Sequence, residues 1–233
     1  MNSVFNEAVH EIETAYSSLG YSLGWRFLYT PASTLSPNCK LMFMGLNPGG
    51  GVFEPPMPSV EAGNAYRVEP WGPDGRLSTL QKQICALYDS INQKLDTTIS
   101  TELLMDETLA ANLIPFRSKR WNELANKSAA LEFSTKLWSS LLQNLAPNVI
   151  ICLTSRPYDS FKRVLINQRF QYEAEKRRPT GWGKVTYSLT TLSSSDRTIL
   201  LLRLPHLSQF KLFSRPACQP AIEHFTTAIA NRL

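Results

Sequence analysis

Two short polar motifs, each following an apolar run, hold the residue types best suited to chemistry. The first is Gly45-Leu46-Asn47-Pro48-Gly49 and the second is His206-Leu207-Ser208. An asparagine can hold a water through its side-chain carbonyl. Being an amide, it cannot act as a strong base, so its role at a hydrolytic centre is orientation. A histidine can donate a hydrogen bond to an oxygen on which negative charge collects, and removing such a donor typically costs about 10²- to 10³-fold in rate.

Both motifs need a strand behind them. The run Lys40-Leu41-Met42-Phe43-Met44 predicts a buried strand, and Gly-x-Asn-Pro-Gly turns the chain where it ends. Asn47 is thereby expected at a strand's carboxyl edge, the place where open α/β sheets bind ligands. Residues 198–204 are β-branched and leucine-rich, and His206 emerges just past Pro205, which cannot donate to a sheet ladder. A continuous apolar run over 148–153 suits a parallel strand covered on both faces, with a helix over 158–166 after it. Weak alternation over 184–189 predicts one more strand. Apolar spacings of three and four predict helices over 4–19, 77–91 and 133–145. A last helix starts near Ser214 and Pro216, with Ile222, Phe225, Ile229 and Leu233 as its buried stripe. Residues 49–75 are rich in glycine and proline and too long for an ordinary connection, so they predict a functional loop; 110–116 form a short segment ending at Pro115. The expected architecture is α/β: a three-layer α/β/α sandwich with a central, mainly parallel sheet, one domain over residues 1–233.

Composition narrows the class. The chain has 233 residues, 43% hydrophobic and 18% charged, ordinary for a globular domain with a sizeable core. A net charge of +5 favours polyanionic partners, and the basic residues gather at Arg117-Ser118-Lys119-Arg120, Lys162-Arg163, Lys176-Arg177-Arg178 and Lys211 with Arg215, all in segments that read as loops or helix ends. Cys39, Cys85, Cys152 and Cys218 lack the close spacing of a zinc or iron–sulfur site, so no metal and no cofactor are expected. Their settings suit a reducing cytoplasm. The amino terminus lacks a basic region followed by a long apolar stretch, and neither a signal peptide nor a membrane partner is expected. Nothing in the chain points to an obligate protein partner.

With these residues in view, the chain resembles the uracil-DNA glycosylase superfamily. Gly45-Leu46-Asn47-Pro48-Gly49 is similar to the first motif of the mismatch-specific and single-strand-selective branches, and His206-Leu207-Ser208-Gln209-Phe210 to the family's histidine loop. Leu109-Ala110-Ala111-Asn112 resembles the central segment that ends in a base-reading asparagine. The resemblance implies a monofunctional DNA glycosylase that flips a nucleotide and hydrolyses its N-glycosidic bond without a cofactor. Asn47 and His206 would be catalytic, the one placing water and the other donating to the pyrimidine O2. Asn112 would read the base edge, and Phe53 or Tyr66 would cover its face. Ser208, Lys211 and Arg215 would hold DNA phosphates, with Phe210 filling the vacated stack. The uracil-strict branch has a bulky tyrosine where this chain has Gly49, so the resemblance implies a pocket open to a 5-modified pyrimidine, for example a glucosylated hydroxymethylcytosine of phage DNA. The role would then be repair or defence against foreign DNA.

Plainer readings stand beside these. Asn-Pro-Gly is also an ordinary turn, Asn112 a capping or turn residue, Phe210 a core aromatic near Leu212 and Phe213, and Trp71, Trp121 and Trp138 packing residues. Ser155 with His206 could form an esterase pair, but Thr154-Ser155-Arg156 lacks the Gly-x-Ser-x-Gly elbow. A noncatalytic reader of modified bases would use the same pocket.

Overall fold

Strands β1 (Leu41–Gly45), β2 (Leu109–Asn112) and β3 (Val149–Leu153) are buried at every position, which is stable only where both faces of a sheet are covered. The computed structural model describes residues 3–96 and 98–233. It adds β4 (Gln171–Tyr172), β5 (Lys176–Pro179), β6 (Thr186–Ser193) and β7 (Thr198–Leu204), all in one sheet of order β2-β1-β3-β7-β6-β4, with β5 paired to β6. The helices are α1 (Ser3–Ser18), α2 (Ala65–Val68), α3 (Thr79–Asn92), α4 (Thr101–Glu107), α5 (Lys127–Asn144), α6 (Ser155–Asn167) and α7 (Gln219–Ala230).

Alternation along the strands separates two cores. Met42, Met44, Ile150, Cys152 and Leu201 pack with Ile12 of α1, Trp138 of α5 and Phe161 of α6. Phe43, Val149, Ile151 and Leu202 pack with Ile84 of α3, Met105 of α4 and Phe225 of α7. Helices therefore cover the sheet on its two faces. Among the described residues no helix is long and apolar enough to cross a membrane.

The expectation of a mainly parallel sheet is corrected: the sheet is mixed. β2, β1, β3 and β7 run parallel, whereas β7–β6, β6–β4 and β6–β5 are antiparallel. Only residues 194–197 join β6 to β7, and a parallel return needs a crossover of about a dozen residues or more. The basic run Lys176-Arg177-Arg178, expected in a loop or helix end, is most of β5.

Register sets the functional edge. Gly45 of β1 pairs with Asn112 of β2, and Leu153 of β3 pairs with Leu204 of β7. The parallel strands thus end together, delivering the turn at Asn47, the side chain of Asn112, Thr154 and the loop at His206 to one side of the sheet. A fifth extended piece reinforces that edge: Arg26 and Phe27 donate backbone hydrogen bonds to Pro115 O (2.9 Å) and Met57 O (3.1 Å), while Tyr29 donates to Ala110 O (2.7 Å). Trp25, Phe27 and Leu28 enter the core there.

Candidate active site

A cleft of about 950 Å³ opens at the carboxyl ends of the parallel strands. Five expected site residues line it: Asn47, Gly49, Tyr66, Asn112 and His206. Phe53, Ser208, Phe210, Lys211 and Arg215 lie outside the lining. Ser208 nonetheless touches the site through His206, and Phe53 sits in the loop that borders it.

Asn47 is held by its nitrogen. Nδ2 donates to Ser118 Oγ (2.9 Å) and to Pro48 O (3.0 Å), and the Ser118 hydroxyl in turn donates to Arg120 O (3.0 Å). Fixing Nδ2 leaves the carbonyl Oδ1 as an acceptor with no protein partner among the described residues, the atom needed to hold a water. Ser118 is buried, and its backbone N–H donates to Pro48 O (3.1 Å), so the support is rigid.

Asn112 is buried and donates from Nδ2 to Tyr29 Oη (2.8 Å). Its Oδ1 occupies the space above Gly45, where an added Cβ would lie 2.1 Å away. Gly45 is thus glycine to admit the neighbouring amide. Burial holds the Tyr29 phenol above its ordinary pKa, so it remains a neutral partner.

His206 follows the buried Leu204 and Pro205, and Nδ1 lies 2.8 Å from Ser208 Oγ. Desolvation lowers its pKa below the ordinary histidine value, which keeps the ring neutral near pH 7. When the Ser208 hydroxyl donates to Nδ1, the ring's one proton sits on Nε2, available as a hydrogen-bond donor. The backbone N–H groups of Gln209 and Phe210 both bond to His206 O (3.0 Å), closing the turn beneath the ring.

One wall of the cleft joins the expected Tyr66 to residues that sequence reasoning missed. Tyr29 and Tyr66 stack with centroids 5.3 Å apart and planes 12° apart, and Trp71 meets them edge-on at 5.8 and 5.1 Å. The Arg26 guanidinium lies 4.2 Å from the Tyr29 ring centroid and grips Glu69 through two bonds of 2.8 and 2.6 Å, while Trp71 Nε1 donates to Glu69 Oε2 (2.9 Å). Burial alone would raise the Glu69 pKa, but the hydrogen bonds and charge of Arg26, with Trp71, hold it below the usual carboxylate value. Gln81 of α3 fixes this segment, its side chain bonding Trp71 N (3.2 Å), Ser78 N (2.8 Å) and Glu69 O. Glu69 and Trp71 fall in the long loop that composition marked as functional; Arg26 carried no motif. Trp121 also lines the cleft, whereas Trp138 is buried packing whose Nε1 donates to Leu113 O (3.0 Å).

The remaining expected residues have other settings. Phe210 packs edge-on against Trp182 at 6.0 Å, and the Arg215 guanidinium lies 3.7 Å from the centroid of the same indole. Lys211 is exposed. Ser155, the alternative nucleophile, is exposed at the start of α6 and outside the cleft lining, with Thr154 before it at a left-handed φ of 78°. Among the described residues no group of three or more His, Cys, Asp or Glu is placed to hold a metal, and all four cysteines are free thiols.

The chain matches no family model, and no curated protein matches it.

Proposed function

We propose that this chain is a monofunctional DNA glycosylase that hydrolyses the N-glycosidic bond of a flipped-out uracil or 5-modified pyrimidine. One observation carries the reading: Asn47, Asn112 and His206, from three separate motifs, line one cleft at one sheet edge. The finer fold reading, a three-layer α/β/α sandwich of the uracil-DNA glycosylase type, belongs to the same proposal and is supported by helices packed on the two sheet faces.

The chemistry follows from the atoms. As the bond between the anomeric carbon and the base nitrogen breaks, its electron pair leaves with the base and positive charge develops on the sugar. Asn47 Oδ1 holds a water against the anomeric carbon, and His206 Nε2–H donates to the pyrimidine O2 as charge gathers there. The water adds to the sugar and releases one proton to solvent while the departing base takes one up from solvent, leaving an abasic strand and free base. Asn112 reads the polar edge of the base, and each good bidentate contact of this kind discriminates by about 1–3 kcal/mol. Lys119 and Arg120 at the cleft supply positive charge for phosphate.

The volume supports a large substrate. A cleft of about 950 Å³ is at the upper end of ordinary small-ligand sites, which span about 300–1,000 Å³. A Cβ added to Gly49 meets nothing within 4 Å, open space that supports the proposed tolerance of a C5 substituent. A glucosylated hydroxymethylcytosine is therefore within the proposed range, and defence against modified DNA within the proposed roles.

The test is mass spectrometry of bases released from DNAs carrying uracil, a thymine mismatch, hydroxymethylcytosine or glucosylated hydroxymethylcytosine. Release of one base by the native chain and none by Asn47→Ala supports the proposal and names the substrate. Tight binding to one of these DNAs with no base released by the native chain overturns it in favour of a noncatalytic reader.

A further inference from the structure

The structure shows no free wedge on the histidine loop. Leu207 is fully buried, and Phe210 is half-buried against Trp182 and the core. The exposed apolar tip is elsewhere: Val52 at 76% and Phe53 at 57% are the two most exposed large hydrophobic residues among those described. Two adjacent apolar side chains held in water at a cleft mouth call for a partner surface.

The loop that carries them is pinned at both ends. Arg117, itself buried, donates from Nη1 to Gly49 O and from Nη2 to Glu54 Oε2 (2.5 Å), so one guanidinium clasps residues on either side of the tip. The Glu54 N–H also donates to Leu23 O (3.2 Å). Gly50 stands at φ +112°, with space for a Cβ only 2.9 Å from Arg117 Nη1, so glycine lets the backbone pass over the guanidinium. Gly49 and Glu54 line the cleft. A Cβ added to Gly51 would lie 3.4 Å from the Lys119 stem, so this lysine runs beside the apolar tip.

We infer that Phe53, with Val52 beside it, is the wedge that enters the base stack of duplex DNA and holds open the gap left by the nucleotide turned into the cleft. The inference rests on the proposed base-flipping reading, but concerns the duplex alone. A pinned loop presents the ring without an ordering cost at the moment of binding, and the flanking Lys119 and Arg120 meet the phosphates on either side. A single strand has no stack to fill and does not need it.

The test uses a duplex with a U·G mismatch flanked by 2-aminopurine, whose fluorescence rises when its neighbour unstacks, with saturation confirmed by anisotropy. All proteins carry Asn47→Ala to keep the bond intact. Binding raises the fluorescence at least about twofold; adding Phe53→Ala removes most of that rise, Phe53→Leu restores it, and Phe210→Ala retains it. No rise at saturation, a rise that survives Val52→Ala with Phe53→Ala, or a rise lost in Phe210→Ala overturns the inference. Base release is scored separately on single-stranded DNA. Release without a duplex signal would leave the glycosylase reading standing and remove the wedge; a Phe53-dependent signal without release from any DNA would do the reverse.

Discussion

Replacing Gly45 with alanine should damage the site through a single contact. The backbone there accepts a side chain, because Gly45 is not among the positive-φ glycines. The obstacle is Asn112: the new Cβ would lie 2.1 Å from Oδ1 and 3.2 Å from Cγ, so the amide must move by about 1 Å to reach even a tight contact. Overpacking of this kind costs about 1–3 kcal/mol, and losing the Asn112–Tyr29 hydrogen bond adds about 1 kcal/mol. A loss of about 2–4 kcal/mol corresponds to a fall in Tm of about 4–16 °C for a chain this size. A reacting geometry displaced by about 1 Å loses up to about 10² in rate, so single-turnover base release should drop about 10- to 100-fold. Asn112→Ala removes the clashing atom, and adding Gly45→Ala to it should cost no more than about 0.5 kcal/mol. Urea unfolding and single-turnover kinetics on the four proteins decide the matter. Native stability and rate in Gly45→Ala, or the same cost in the Asn112→Ala background, would refute the reasoning.

Four further outcomes are expected. His206→Ala lowers the rate of base release about 10²- to 10³-fold under single-turnover conditions. Because burial lowers the folded-state pKa of His206, and burial together with Arg178 and Lys176 lowers that of His224, the unfolded chain binds more protons just below pH 6.5. The neutral rings therefore contribute stability fully present above that pH and lost as pH falls toward the folded values; replacing both with glutamine should flatten urea stability between about pH 7 and 5.5. Arg26→Met strands the Glu69 carboxylate and should cost about 2–4 kcal/mol in urea unfolding, reduced from the about 3–5 kcal/mol of a fully buried pair because Glu69 keeps some solvent contact. Borohydride added during turnover should trap no protein–DNA adduct, since hydrolysis through water leaves no Schiff base; a trapped adduct lost in Lys119→Ala would contradict a monofunctional mechanism.

Strands β1, β3 and β7 were legible because each carries a run of apolar residues that cover on both faces explains, whereas β2 was read only as part of a short segment over 110–116. Asn47, Asn112 and His206 were legible for a related reason: each follows such a run closely, and a common register carries all three to one edge. In the antiparallel half the strand over 184–189 was legible from its weak alternation, though not its direction or its reach to Ser193, whereas β5 was not, being a run of exposed basic residues with no apolar face to betray a strand. α5 begins at Lys127 rather than near Phe133, its first turns holding little beyond alanine and serine to mark a stripe. The wall built from Arg26, Tyr29 and Glu69 was hidden because it joins loops far apart in sequence, and one residue's share of such a contact leaves no periodicity. Phe53 and Phe210 show the limit from the other side. Each is a phenylalanine near a motif, and only the fold shows that one stands in water while the other packs on Trp182.

Asn47 is where the account is most directly tested, since its Oδ1 is the atom assigned to the hydrolytic water. With the DNA whose base the native chain releases, Asn47→Ala should bind with a dissociation constant within about threefold of native, the change expected when no phosphate or base contact is lost. Its single-turnover rate should fall by about 10²-fold or more. Release by Asn47→Ala at the native rate, or failure of the native chain to release any base from DNA it binds, would contradict the claim that this cleft hydrolyses a glycosidic bond.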